Sequence, residues 1–119
     1  MSKAVILCVD DERMVLDSLR VQLSSSFGKN YIYETAEDAD EALDLIQELS
    51  EDNVSIVVII SDWLMPGMKG DELLIRIHEK FPKVVKIMLT GQADEAAISR
   101  AKKFANLHSC LSNLGRKPN

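Results

Sequence analysis

Cysteine, histidine, proline and aromatic residues are all scarce in this 119-residue chain, which holds two Cys, two His, three Pro, one Trp, two Tyr and three Phe. Cys8 and Cys110 lie far apart, each inside a predicted strand and without metal-ligand spacing. No disulfide framework is implied, and buried reduced thiols of a cytosolic protein are expected. His78 and His108 have no partner at metal-binding spacing, and His78 is read on a solvated helix face. Basic residues are in deficit, 14 Lys and Arg against 19 Asp and Glu for a net charge of -5, which argues against non-specific nucleic-acid binding by this domain. Long apolar runs are missing too. The N-terminus passes straight into a short strand pattern that meets an acidic cluster at Asp10, so neither a signal peptide nor a membrane span is expected. With no internal repeat, low-complexity segment or linker, a length of 119 residues predicts one domain with an ordinary core.

What is present is an alternation of compact apolar runs and amphipathic stretches. Residues 4–9 read as a strand ending on Asp10-Asp11-Glu12. Leu16, Leu19, Leu23 and Phe27 recur at spacings of three and four, predicting a helix stopped by Ser24-Ser25-Ser26 and Gly28. Residues 31–34 are a strand candidate, and Thr35 with Asp38 resembles a capping box before a helix with Ala39, Leu43 and Ile46 on one face. That helix breaks in a polar loop over residues 50–53. Residues 56–60, an unbroken apolar run, predict a strand buried on both faces of a parallel sheet, and it ends at Ser61-Asp62. After Pro66-Gly67, Leu73, Leu74, Ile77 and Phe81 mark a third helix, ended by the restriction that Pro82 places on Phe81. Residues 84–89 form the fourth strand, closed by Thr90-Gly91. Ala97, Ala101 and Phe104 line a fourth helix, and residues 107–111 are a weaker fifth strand. The order βαβαβαβαβ with short connections predicts a parallel sheet covered by helices on both faces.

Three strands therefore finish on polar residues at the edge where open α/β sheets carry their chemistry: the first on Asp10 and Asp11, the third on Asp62, the fourth on Thr90. Carboxylates held within a few ångström repel, and relief comes from a raised pKa or a bound hard cation. Oxygen-only donors suit Mg²⁺, which binds through one or two carboxylates plus phosphate oxygens. Such a metal would neutralise charge on an incoming phosphoryl group and leave Asp62 free to act as nucleophile. Thr90, beside Gly91, offers a hydroxyl donor where backbone can approach closely. Taken singly, Asp10 or Asp11 reads as a cap for the helix starting near Glu12, and Thr90 as a turn residue. Trp63, the only tryptophan, is expected partly exposed beside the site, Gly67 and Gly70 as turn and helix-start glycines, and Met65, Met68 and Met88 in packing roles.

These stretches resemble the receiver domain of a two-component response regulator. The matching residues are Val9-Asp10-Asp11-Glu12, the run from Ser61-Asp62-Trp63 through Met65-Pro66-Gly67 to Gly70, and Met88-Leu89-Thr90-Gly91-Gln92-Ala93. The resemblance covers nearly the whole chain and implies a flavodoxin-like, doubly wound five-stranded parallel sheet in the order 2-1-3-4-5. It implies Asp62 as phosphoacceptor, Asp10 and Asp11 as the acidic pair, and Mg²⁺ held by Asp11, Asp62 and the Leu64 backbone carbonyl beside Asp10. Thr90 would be the hydroxyl switch.

The sequence departs from the family at its end. The lysine that contacts the phosphoryl group falls on Asn113, followed by Leu114, while a Lys-Pro pair stands four residues later at Lys117-Pro118. Either Lys117 reaches the site or the cation is lost. The aromatic that usually precedes that lysine by three residues is Cys110 in one register and Leu114 in the other, and the chain stops where a fifth helix would start. A missing fifth helix predicts an apolar strip at the sheet edge, hence a truncated chain, a partner element or a homodimer.

Residues 1–119 are thus expected to be a single receiver domain, suited to the head of a longer signalling protein. The expected role is a cytoplasmic switch that takes a phosphoryl group from a histidine kinase or phosphotransfer protein onto Asp62, with Mg²⁺, promoting its own phosphorylation and dephosphorylation. It is not a conventional enzyme, and it binds neither nucleic acid nor membrane itself. The alternative is a pseudo-receiver, a phosphorylation-independent interaction module. A hydrolase of the haloacid-dehalogenase type is disfavoured, because its second Asp would stand at Leu64.

Overall fold

Strict alternation along the first strand decides the layering. The computed structural model describes residues 4–89, 91 and 95–111, and its first strand, β1 (Ala4–Val9), sends Leu7 and Val9 to one face and Ile6 and Cys8 to the other. The chain continues through α1 (Arg13–Phe27), a 3-10 turn (Gly28–Asn30), β2 (Tyr31–Ala36), α2 (Ala39–Glu51) and β3 (Ile56–Asp62). It ends with α3 (Gly70–Lys80), β4 (Val85–Leu89), α4 (Glu95–Phe104) and β5 (Ser109–Leu111). All strand pairs are parallel, in the order β2-β1-β3-β4-β5. This is the flavodoxin-like doubly wound sheet. Val57 is an extra residue on β3, since Val5 pairs with Ile56 but Ile6 with Val58.

Among the described residues the two faces are covered unequally. Val15, Leu16 and Leu19 of α1 pack on Ile6, Cys8, Ile60 and Leu89. The opposite face takes α2 through Ala39, Ala42 and Ile46, α3 through Leu73, Leu74 and Ile77, and α4 through Ala101. On the α1 side, Ile87 and Leu111 are only half-buried. Among the described residues no helix is long and apolar enough to cross a membrane.

Several local expectations change. The serines do not stop α1, which runs through them to Phe27. Gly28, at φ 74°, ends it, because glycine alone enters that region without a Cβ penalty. Thr35 belongs to β2, and the cap of α2 is Asp38, whose side chain accepts from the Glu41 amide at 2.8 Å. Phe27 and Phe104, expected on packing faces, are each the last residue of a helix and half-exposed at 53% and 52%. The first three residues of β3 are only partly buried, so burial on both faces holds for its second half alone. Strand β5 is shorter than expected, and Cys110 within it is half-buried where a buried thiol was expected. His78 is not on a solvated face: it is half-buried, with Nδ1 2.7 Å from Lys86 Nζ.

Candidate functional site

Parallel pairing carries the acidic residues to one edge. Val9 lies opposite Ser61 and Asp62 opposite Leu89, so the residues following β1 stand beside the end of β3. Asp10 is 2% exposed and Asp62 6%, whereas Asp11 faces solvent. Carboxylate oxygens of Asp10, Asp11 and Asp62 lie within 4.8 Å of one another. Asp10 Oδ1 accepts the Glu12 amide at 2.8 Å, a contact of the turn ahead of α1, whose N-cap is Glu12 and not Asp10 or Asp11 as expected. Burial, then the Asp10 charge and also the Asp11 charge push the Asp62 carboxyl up from 3.8 to about 6, against hydrogen bonds from the Trp63 and Leu64 amides. An all-oxygen set of three carboxylates that leaves a buried acid this perturbed fits a small hard cation such as Mg²⁺.

The loop after Asp62 is fixed from both ends. Trp63 donates its amide to Asp62 Oδ1 at 2.9 Å, and its carbonyl accepts from Gly70 at 2.9 Å. Gly70 lies so close to β3 that a Cβ there would stand 2.9 Å from both the Asp62 carbonyl carbon and Trp63 Cα. Glycine is required by this approach, which seats the start of α3 on the end of β3. Met65 is buried and Met88 fully so, while Met68 packs partly against the core, as expected of packing methionines. Position 64 is a leucine with an exposed side chain and supplies no acid/base carboxylate.

Trp63 sits half-buried beside the acidic cluster, as expected, with Lys69 Nζ 5.7 Å from its ring centroid. Its indole Nε1 donates to Asp71 Oδ1 at 3.1 Å, and Asp71 Oδ2 accepts Arg100 Nη1 from α4 at 2.9 Å. Asp71 and Arg100 escaped the sequence reading. They lie 29 residues apart, and Asp71 looks like any polar residue of a first helical turn. Cys8 is a buried free thiol as expected, and burial pushes it up to about 12. Thr90, Asn113, Leu114 and Lys117 lie outside the described residues.

A family model described as "Response regulator receiver domain" matches residues 6–112. The chain is 34% identical over 109 residues to the hydrogenase transcriptional regulatory protein HoxA of Cupriavidus necator, covering 92% of this chain and 21% of that one. It is 28% identical over 96 residues to hybrid signal transduction histidine kinase D of Dictyostelium discoideum, covering 79% of this chain and 6% of that one. Among solved structures it is similar to a CheY-like response regulator receiver domain protein from Methanospirillum hungatei, at 32% identity and a TM-score of 0.77. That match covers 93% of this chain and 82% of the other. The chain thus spans only about a fifth of HoxA and far less of the kinase. With the sheet order, the acidic cluster and this match in agreement, the chain belongs to the response regulator receiver domain family of two-component systems.

Proposed function

We propose that this receiver accepts a phosphoryl group on Asp62 from a histidine kinase or phosphotransfer protein. The observation that carries the reading is the convergence of Asp10, Asp11 and Asp62 at one sheet edge, with Asp62 buried and its carboxyl raised to about 6. A carboxylate of that basicity is a better nucleophile than an ordinary one, and it is still ionised near neutral pH. Asp10, Asp11, Asp62 and the Leu64 carbonyl would hold Mg²⁺, which when bound neutralises charge on the phosphoryl oxygens.

In the transfer, an Asp62 carboxylate oxygen bonds to phosphorus as the bond to the donor's imidazole nitrogen breaks, leaving a mixed anhydride on Asp62 and a free histidine on the donor. The Trp63 amide, 2.9 Å from Oδ1, fixes the rotation of the carboxylate for that attack. Thr90 would close on the phosphoryl group as the hydroxyl switch, and Lys117 is the cation this reading assigns in place of Asn113. The same site would promote its own phosphorylation and hydrolysis, biasing a two-state surface that an output domain or partner reads. Residues 1–119 act in this reading as a receiver within a longer signalling protein. The unpaired thiols Cys8 and Cys110 suit a cytoplasmic setting.

A second reading, the phosphorylation-independent pseudo-receiver, is favoured by one observation: Cys110, opposite Met88 in β5, occupies an aromatic slot of the family pattern. Intact mass after incubation with acetyl phosphate and Mg²⁺, beside Asp62→Asn, separates the two. Gain of one phosphoryl group by the parent alone is expected. No gain in either protein, with Mg²⁺ binding verified by Trp63 fluorescence, would move the assignment to the interaction module.

A further inference from the structure

Asp62 is joined to α4 by a continuous set of directed polar contacts. The Trp63 amide donates to Asp62 Oδ1 at 2.9 Å, while the indole of the same residue donates to Asp71 Oδ1 at 3.1 Å. Asp71 Oδ2 accepts Arg100 Nη1 at 2.9 Å, and the other arm of that guanidinium, Nη2, reaches Glu72 Oε1 at 2.8 Å. The Asp71 carboxylate is therefore a hub, buried at 8% exposure, with one oxygen for the loop that follows Asp62 and the other for α4. Asp71 is the shielded end of this pair and Arg100, its side chain 45% exposed, the open end, so the geometry rests on the buried carboxylate and on the two-armed fork of the guanidinium.

The apolar contacts of α4 are modest: its buried residues are Ala97 and Ala101, both small, with Ile98 partly buried against the core. The planar fork of Arg100 across Asp71 and Glu72 adds direction, because two bonds in one plane fix orientation as well as distance. A change in the charge on Asp62 acts on the Trp63 and Leu64 amides, both of which donate to its carboxylate. Movement of Trp63 must then be met at Asp71 and passed to Arg100, or the indole loses its acceptor in a half-buried place.

We propose that Asp71 and Arg100 are positioning residues that couple occupancy of the acidic cluster to the placement of α4, with Trp63 as the linking side chain. The inference rests on the phosphoacceptor reading for what occupies the site. Glu72 shares Arg100 but does not touch Trp63, so it anchors α4 without taking part in the coupling.

Amide hydrogen exchange across Glu95–Phe104 tests this, with and without Mg²⁺ plus beryllofluoride, Mg²⁺ binding being followed separately by calorimetry. In the parent, occupancy is expected to change exchange in α4 by about fivefold or more. In Asp71→Asn and Arg100→Gln that response should collapse while Mg²⁺ still binds, its affinity altered by no more than the same factor, as reciprocity requires. Glu72→Gln should keep the response. A plain ion-pair anchor would make the Asp71 and Glu72 variants behave alike, and that result overturns the proposal. So does a parent that binds Mg²⁺ with α4 unresponsive. A parent that binds no Mg²⁺ overturns the phosphoacceptor reading and the coupling together, so the two failures are distinct.

Discussion

Asp62 and Lys86 are buried ionisable side chains on neighbouring strands, 6% and 1% exposed, the first at the end of β3 and the second within β4. Burial disfavours the charged form of each, raising the Asp62 pKa to about 6 and lowering that of Lys86. Their surroundings then diverge. Lys86 Nζ donates to the Pro82 carbonyl at 3.2 Å and lies 2.7 Å from His78 Nδ1, so it faces two polar partners. Asp62 is set against Asp10 and Asp11, two further negative charges that raise its pKa again. A buried charge with polar partners supplied is a structural solution, whereas one crowded by its own sign waits for something outside the chain.

The largest expected effect strikes the backbone that creates this difference. Gly70→Ala places a methyl against the end of β3, where a Cβ has no room beside the Asp62 carbonyl carbon and Trp63 Cα. Urea unfolding should show a loss of about 3 kcal/mol, since overpacking against backbone cannot be relieved by a rotamer change. The three carboxylates should also spread and bind Mg²⁺ more weakly in calorimetry. A stable Gly70→Ala protein with unchanged Mg²⁺ affinity would mean that the β3–α3 junction does not set the cluster.

Next in size is Asp62→Asn without Mg²⁺. The folded pKa is raised from 3.8 to about 6, so the folded state binds a proton that the unfolded state lacks between those values. Asp62 therefore imposes no penalty below about pH 4, and the parent loses stability as pH rises through about 6. Near neutral pH the Asn variant should be more stable by about 2 kcal/mol, with the gap closing in acid. Saturating Mg²⁺ should narrow or reverse the order, because only the parent gains binding free energy from the full cluster. Thermal melts across pH, with and without the metal, check both signs.

The element order and the sheet edge that carries the acidic residues were legible from periodicity, whereas the strand order and the roles of Asp10, Asp11 and Asp62 came from the resemblance to the receiver family. Short apolar runs gave the first and third strands, each leading into an Asp, and parallel pairing of those two brings Asp10 and Asp62 to one edge. Side-chain partnerships across elements were not legible. Lys86 interrupts an apolar strand and looks like a solvent-facing residue until α3 delivers His78 above it. Asp71 and Arg100 show no spacing that marks them as partners, and only the packing of α3 against α4 joins them. The Asp38–Glu41 cap had the right spacing in sequence, but Thr35 competed for the same role until the register of β2 claimed it.

The smallest expected effect tests the satisfied member of the pair. If Lys86 is a charge tolerated for structure, Lys86→Met should cost nothing near neutral pH and gain on the order of 1 kcal/mol, since a buried, paired charge is often replaced by an apolar side chain of similar length without loss. Its pH dependence runs opposite to that of Asp62. The folded pKa lies below the ordinary 10.5, so below the folded value both states carry the proton and the desolvation penalty is felt in full. As pH rises from the folded value towards 10.5, the unfolded state holds a proton that the folded state has lost, and the parent gains on the variant. The advantage of Lys86→Met should therefore shrink in alkali, whereas that of Asp62→Asn shrinks in acid. A Lys86→Met protein clearly less stable than the parent near neutral pH would show that the contacts with His78 and Pro82 outweigh desolvation. Lys86 would then be an anchor between α3 and β4 rather than a tolerated charge.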